Sequence, residues 1–353
     1  MKILQAYITR YLLRYTLIAV TVLVAIFAFF SLIDQLEETN RGSYGVLQAA
    51  MYVALTIPRL AYELFPIAAM IGAMAALGML AQNSELDIIR TSGMSRPELG
   101  GLLIRSALIL VLVALPIGEL VAPYSEQTAQ HRRSVALTDQ ITLQTRHGFW
   151  VRDGDSFINI RRVVEGNKLE EIYIYEFDQQ SHLRSSIYAQ QAEYTDAGWM
   201  LHDVKQTAIA DNGASRQEHK QAVWEVSLDP EIVNLITIKP QHLPIWELYD
   251  YIQYLRSNSQ NTVQYEQALY AKLIKPITVI VMIMLAVPLV KNNSRFTGIG
   301  QRVFIGALIG VVFHFAGLAS SNLGVVHNLP PLLMVCLPTL LLLLIVQRLL
   351  TRY

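Results

Sequence analysis

Cysteine is nearly absent: Cys336 stands alone among 353 residues, so the chain can form neither an internal disulfide nor a cysteine-rich metal site. It lies in an apolar run and reads as a small apolar residue. Charge is scarce too. Only 16% of residues are charged and 53% are hydrophobic, against roughly 25% charged in an ordinary soluble domain. Net charge is zero, which gives no bulk attraction to nucleic acid. G-x-x-x-x-G-K-S/T, H-E-x-x-H and G-x-S-x-G do not occur, so there is no P-loop for ATP phosphates, no zincin helix and no nucleophile elbow. The histidines are scattered without metal-ligand spacing, and His314 stands alone in an apolar segment, where a helix-packing hydrogen bond is the plainer reading than a proton relay.

What is present is a set of long uncharged runs. Spanning about 30 Å of hydrocarbon takes about 20 helical residues. Six segments qualify, at roughly 15–36, 57–81, 101–122, 269–290, 302–322 and 330–349. The first follows Lys2, Arg10 and Arg14, but it exceeds a signal-peptide core and lacks a small-x-small cleavage site. The second is expected to begin after Pro58, and its Ala-, Gly- and Met-rich remainder suits close helix packing. Gly306 and Gly310 form a G-x-x-x-G pair in the fifth, marking a face for close approach.

Basic residues flank alternate links: Lys2, Arg10 and Arg14; Arg90, Arg96 and Arg105; Lys291, Arg295 and Arg302; Arg348 and Arg352. Six spans place all of these on one side, so both termini are expected in the cytoplasm. Residues from about 123 to 268 then lie outside. There the pattern turns to apolar–polar alternation. Phe149–Arg152 and Ser156–Ile160 flank Asp153-Gly154-Asp155 as a tight hairpin. Further strands are expected at 171–177, 185–195, 199–210 and 222–228, which suggests a sandwich or jelly roll. After Pro240, Leu243, Trp246, Leu248, Tyr251, Ile252 and Leu255 recur at helical spacing. The expected organisation is 1–136 with three spans, 137–240 as a β-jellyroll-like domain, 241–268 as an amphipathic helix and connector, and 269–353 with three more spans.

The link between the second and third spans reads Ser84-Glu85-Leu86-Asp87-Ile88-Ile89-Arg90-Thr91-Ser92-Gly93. Ser84 and Asp87 have capping-box spacing and Gly93 can end a helix, so a short helix over about 84–93 is expected. It is either a partner-docking element or a simple connector.

The pattern Gly78-Met79-Leu80-Ala81-Gln82-x-Ser84-Glu85-Leu86, followed by Thr91-Ser92-Gly93, resembles the LptF/LptG permeases of the lipopolysaccharide-export ABC transporter. The order of segments matches that family over essentially the whole chain. Asp34-Gln35-Leu36, Gly42-Ser43-Tyr44 and Gly118-Glu119-Leu120-Val121-Ala122-Pro123 favour its G-type branch over the F-type paralogue. The resemblance implies an inner-membrane, non-catalytic permease with a periplasmic β-jellyroll. It also implies partners: an LptF-like permease, an LptB-like ATPase dimer that binds ATP and Mg²⁺, a membrane-anchored LptC-like jellyroll protein and a periplasmic LptA-like bridge. No cofactor is expected in this chain itself. A membrane-anchored sensor or scaffold with a ligand-binding β-domain is the reading from another class.

By the same resemblance, Glu85, with Ser84, Leu86 and Arg90 around it, is the ATPase-coupling element. Arg132 and Arg133 lie outside, against the positive-inside bias, and arginine suits phosphate through its planar fork. From the residues alone they are head-group ligands, solvated charges or partners of Glu126; the resemblance favours head-group contact, at Arg133 above all. Family lysines at the end of the first span are replaced here by Glu37 and Glu38, which would repel phosphate unless Ca²⁺ or Mg²⁺ bridges them. Arg41 is a candidate substitute. The resemblance also places the first and fifth spans at a lateral gate, with Phe27, Phe30, Leu32, Phe304, Ile305, Leu308 and Phe313 as acyl-chain contacts.

Overall fold

Long apolar runs become helices because a backbone in hydrocarbon must satisfy its own N–H and C=O groups. The computed structural model describes all residues except 1, 40–42, 93, 95, 139–142, 165–167, 179, 181, 196–197, 211–212, 225, 227–238, 259, 293–297 and 352–353. Among the described residues, six helices are long and apolar enough to cross a membrane. The chain begins with α1 (Lys2–Leu36), α2 (Val46–Gln82), a short α3 (Glu85–Thr91) and α4 (Arg96–Pro116). A π-helical turn (Ile117–Val121) leads into α5 (Ala122–Thr138), and together these make the third span. After the β-region come α6 (Ile245–Ser257), then α7 (Val263–Asn292), α8 (Ile299–Val326) and α9 (Pro331–Thr351).

The helices overrun the expected spans. The second does not start at Pro58; it starts at Val46 and carries Pro58 and Pro66 inside it. Proline in a soluble helix would end it, whereas neighbouring helices make it tolerable in a membrane span. In the third span, Pro116 cannot donate its backbone hydrogen bond, and the helix answers with the π turn, where Ala122 N–H reaches the Ile117 carbonyl.

The chain packs as two units: one of residues 1–37, 53–126 and 263–353, the other of 38–52 and 127–262. The second therefore takes in 38–52 as well as the insertion. In the first unit, Met70, Met74, Leu77 and Leu80 of α2 meet Leu12, Leu103, Met282 and Ala286 in one core, all at most 2% exposed. Small residues let the backbones close. A Cβ on Gly72 would sit 2.6 Å from the Thr16 backbone, and one on Gly310 would sit 2.7 Å from Ile67. The Gly306–Gly310 face does meet another helix closely, and that helix is α2.

In the second unit, among the described residues, six antiparallel strands pair in sequential order: β1 (Leu143–Asp153), β2 (Ser156–Val164), β3 (Lys168–Phe177), β4 (Leu183–Thr195), β5 (Gly198–Ala210) and β6 (Gly213–Trp224). Asp153 pairs with Ser156 across a two-residue turn in which Gly154 has φ +58°, a left-handed conformation that glycine takes without steric cost. Alternation, interrupted at Glu171 and Asp203 where φ is positive, fills one face with Ile158, Ile160, Leu169, Ile172, Ile174, Leu201 and Val204. β6 begins nine residues before the expected strand at 222; as an exposed edge strand it carries no alternating signal. On α6, Leu248, Tyr251, Ile252 and Leu255 are buried as the period predicts, while Trp246 is exposed. Tyr254 packs on the sheet core. Its buried hydroxyl has no hydrogen-bond partner among the described residues, and burial, with Asp153 nearby, pushes it up to about 12.

Candidate functional site

Three arrangements within the units bear on function: the short helix α3, a set of buried charges in the spans, and an arginine cluster in the second unit.

Ser84 does not cap α3 with its side chain. Its φ is +59°, and its hydroxyl makes no hydrogen bond among the described residues. Its N–H bonds to the Ala81 carbonyl at 3.1 Å and its carbonyl accepts from Ile88 N–H at 3.1 Å. The capping-box expectation is therefore corrected: Ser84 is a left-handed joint that turns α2 into α3, at a cost of about 1–2 kcal/mol for a residue with a Cβ. Gly93 lies outside the described residues, and so does the side chain of Arg90.

α3 is anchored on one face and presented on the other. Leu86 and Ile89 pack into the first unit's core. Asp87 and Ile88 are exposed, Ile88 at 64%. Glu85 is engaged within the chain: Tyr7 of α1 donates to Oε2 at 2.7 Å and Asn83 donates to Oε1 at 3.3 Å. One turn before the end of α2, Arg302 of α8 donates to the Gly78 carbonyl at 2.6 Å. A Cβ on Gly78 would lie 2.9 Å from Arg302 Cδ, so the first glycine of the motif makes room for a buried arginine. α3 is thus tied to α1 through Glu85, and α2 just before it is tied to α8.

Sequence reading missed a set of charges buried in the spans. Lys272 of α7 donates to both carboxylate oxygens of Glu119, at 2.9 and 3.1 Å, and Tyr62 of α2 donates to Oε1 at 3.4 Å. Lys275 lies over the Tyr62 ring at 3.9 Å. Arg59 bonds Glu126 at 2.9 Å and Glu63 at 3.0 Å. Glu119 sits on the π turn beside Gly118, whose absent Cβ would fall 2.3 Å from the Tyr62 ring. Ionisable groups in a spanning segment are costly unless paired, and a lysine or glutamate in a weakly apolar stretch of sequence was the one signal available. The partners here are 153 residues apart.

In the second unit, Arg133 hydrogen-bonds Glu38 and lies 5.5 Å from the centre of the Tyr52 ring. Gln130 donates to Tyr52 Oη at 3.0 Å, and Ser43 N–H donates to the Ala136 carbonyl at 2.8 Å. Burial pushes the neighbouring Tyr44 hydroxyl up, and Arg133 pulls it back. Glu126, one of the partners the sequence suggested for these arginines, bonds Arg59. Arg132 is exposed, and Arg41 lies outside the described residues. Glu38, read from the sequence as a repulsive acid, is neutralised by Arg133, while Glu37 is exposed. No group of three His, Cys, Asp or Glu side chains gathers among the described residues.

The apolar gate candidates divide. Phe27, Phe30, Phe304 and Leu308 are exposed, Leu32 is half-buried, and Ile305 and Phe313 pack against the core.

Residues 6–352 match the family model described as lipopolysaccharide export system permease LptF/LptG. The chain belongs to this family. It is 33% identical to the lipopolysaccharide export system permease protein LptG of Haemophilus influenzae over 99% of this chain and 98% of that one. It is 31% identical to the LptG protein of Escherichia coli over 96% and 94%. The LptF/LptG family accounts for the architecture of six apolar helices with an antiparallel sheet between the third and fourth spans. It also makes this chain a multi-pass membrane permease with no catalytic constellation of its own.

Proposed function

We propose that this chain is the G-type permease subunit of a lipopolysaccharide exporter, driven by a partner ATPase through α3. The observation that carries this reading is the double tie at the motif: Glu85 to Tyr7 of α1 at 2.7 Å, and the Gly78 carbonyl to Arg302 of α8 at 2.6 Å. A push on the exposed Ile88 face moves a helix whose Leu86 and Ile89 are fixed in the core, and hydrogen bonds pass that motion to α1 and α8. These two helices carry exposed apolar faces suited to acyl chains and to an LptF-like second permease. An LptB-like ATPase dimer, binding ATP and Mg²⁺, supplies the stroke. An LptC-like anchored jellyroll and an LptA-like bridge receive the lipid. Both termini and α3 face the cytoplasm, and the β-domain is periplasmic, in line with the basic flanks.

Arg133 is the head-group ligand in this reading. A phosphate bearing more negative charge than a carboxylate displaces Glu38 from its guanidinium, and arginine's planar fork suits that exchange. Phe27, Phe30, Phe304 and Leu308 contact acyl chains.

The test is co-purification of the chain with its genomic neighbours, as wild type and as Glu85→Arg. The expected result is that wild type brings down an ATPase and a second permease, and that Glu85→Arg weakens the assembly or uncouples hydrolysis from lipid release. If no ATPase accompanies wild type in mild detergent, the coupling reading fails.

A further inference from the structure

A cavity of about 1190 Å³ lies between α1 and α4, outside the arrangements above. Lys2, Arg10, Arg14 and Arg105 line it, against one carboxylate, Glu98. All four cations are exposed, and none forms an ion pair among the described residues. The polar floor needs nothing further: Thr9 and Ser106 hydroxyls are 2.8 Å apart, and Gln5 Nε2 donates to Ser106 Oγ at 3.0 Å. Leu13, Leu17 and Ile109 add apolar lining beside the arginines. Topology requires basic residues at this membrane boundary, but it does not require them to converge on one groove. Arg10 and Arg14, one turn apart on α1, share this groove with Arg105, and like charges at that helical spacing repel one another unless an anion joins them.

We propose that the groove between α1 and α4 binds an anionic glycerophospholipid of the leaflet on the basic side, its phosphate among Arg10, Arg14 and Arg105 and its acyl chains along Leu13, Leu17 and Ile109. Basic pockets between spanning helices select such head groups, and the cavity exceeds what a small soluble ligand needs, roughly 300–1,000 Å³. Met94, on the segment leaving α3, also lines the groove. An occupied site therefore joins α1 to the exit of the short helix. The inference rests on membrane placement and not on the identity of the transported lipid.

The test uses the complex purified with its partners in nanodiscs of phosphatidylethanolamine, with and without phosphatidylglycerol, and counts retained lipid by native mass spectrometry. Wild type is expected to keep phosphatidylglycerol in preference to phosphatidylethanolamine. The combined variant Arg10→Gln, Arg14→Gln, Arg105→Gln is expected to hold it on the order of a hundredfold more weakly. Arg348→Gln, an exposed arginine outside the groove, is expected to leave retention unchanged, and the triple lysine variant to keep most of it. No head-group preference in wild type overturns the proposal whether or not the variants fold. So does equal loss with Arg348→Gln, displacement by soluble glycerol phosphate as effective as by whole lipid, or a photocrosslinker at Leu17 that captures a partner helix in place of lipid.

Discussion

α2 and α8 are both apolar enough to span a membrane, yet 83% of the apolar window of α2 is buried within the chain and only 17% of that of α8. Hydropathy cannot separate them, because lipid tails are as apolar as leucine and supply no drive between helices. What separates them is side-chain size. α2 brings Ala68, Ala69, Gly72, Ala73, Ala75, Ala76 and Gly78 to its neighbours, so backbones approach and dispersion contacts accumulate. α8 offers Gly306 and Gly310 on one face and Phe304, Leu308, Val312 and Phe315 on the others. α1 is as open as α8, also at 17%. The packed helices form a frame, and the open ones keep their surface for lipid or a second chain.

The comparison is tested most severely at the buried charges of the frame. Lys272→Met leaves Glu119 without its ammonium in a site where Glu119 is 9% exposed. The expected loss is about 3–5 kcal/mol of stability, read as a large drop in thermal midpoint in detergent. The double change Lys272→Met with Glu119→Leu removes both charges and is expected to recover most of it, since a matched apolar pair is often neutral. If the single variant is as stable as wild type, the pair does not hold α7 to the π turn. The next effect in size is Gly72→Val. Its side chain meets the Thr16 backbone, which cannot rotate away, so α1 must separate from α2 at about 1–3 kcal/mol.

Much of this frame was legible in the sequence. Six runs, alternation in the insert and the Gly306–Gly310 pair all depend on local spacing, and each has its counterpart in the structure. What escaped depends on partners distant in sequence. Pro58 reads as a boundary until neighbouring helices are present to tolerate it. Ser84 has the residue type and spacing of a cap, but the change of direction between α2 and α3 places it at positive φ, where its side chain points away from that role. Arg133 and Glu38 are 95 residues apart, and nothing local says that the acid neutralises the arginine rather than repelling a substrate. The division among the gate residues was hidden for a simpler reason: Ile305 and Phe313 differ from Phe304 and Leu308 only in the side of α8 they occupy.

That last division supplies the test with the smallest effect on stability. Phe304→Ala and Leu308→Ala remove exposed side chains with no cavity to leave behind, so each is expected to change stability by no more than about 0.5 kcal/mol. Ile305→Ala, on the adjacent packed face, removes core contacts and is expected to cost about 2–5 kcal/mol, nearer the lower end because Ile305 is only partly buried. Lipid release measured on the same variants then distinguishes two meanings of an open helix. If Phe304→Ala and Leu308→Ala slow release while the fold is intact, the exposed face of α8 touches the transported lipid or the second permease. If release is unaffected, that face meets only bulk bilayer, and the gate must be sought on α1, where Phe27 and Phe30 are exposed in the same way.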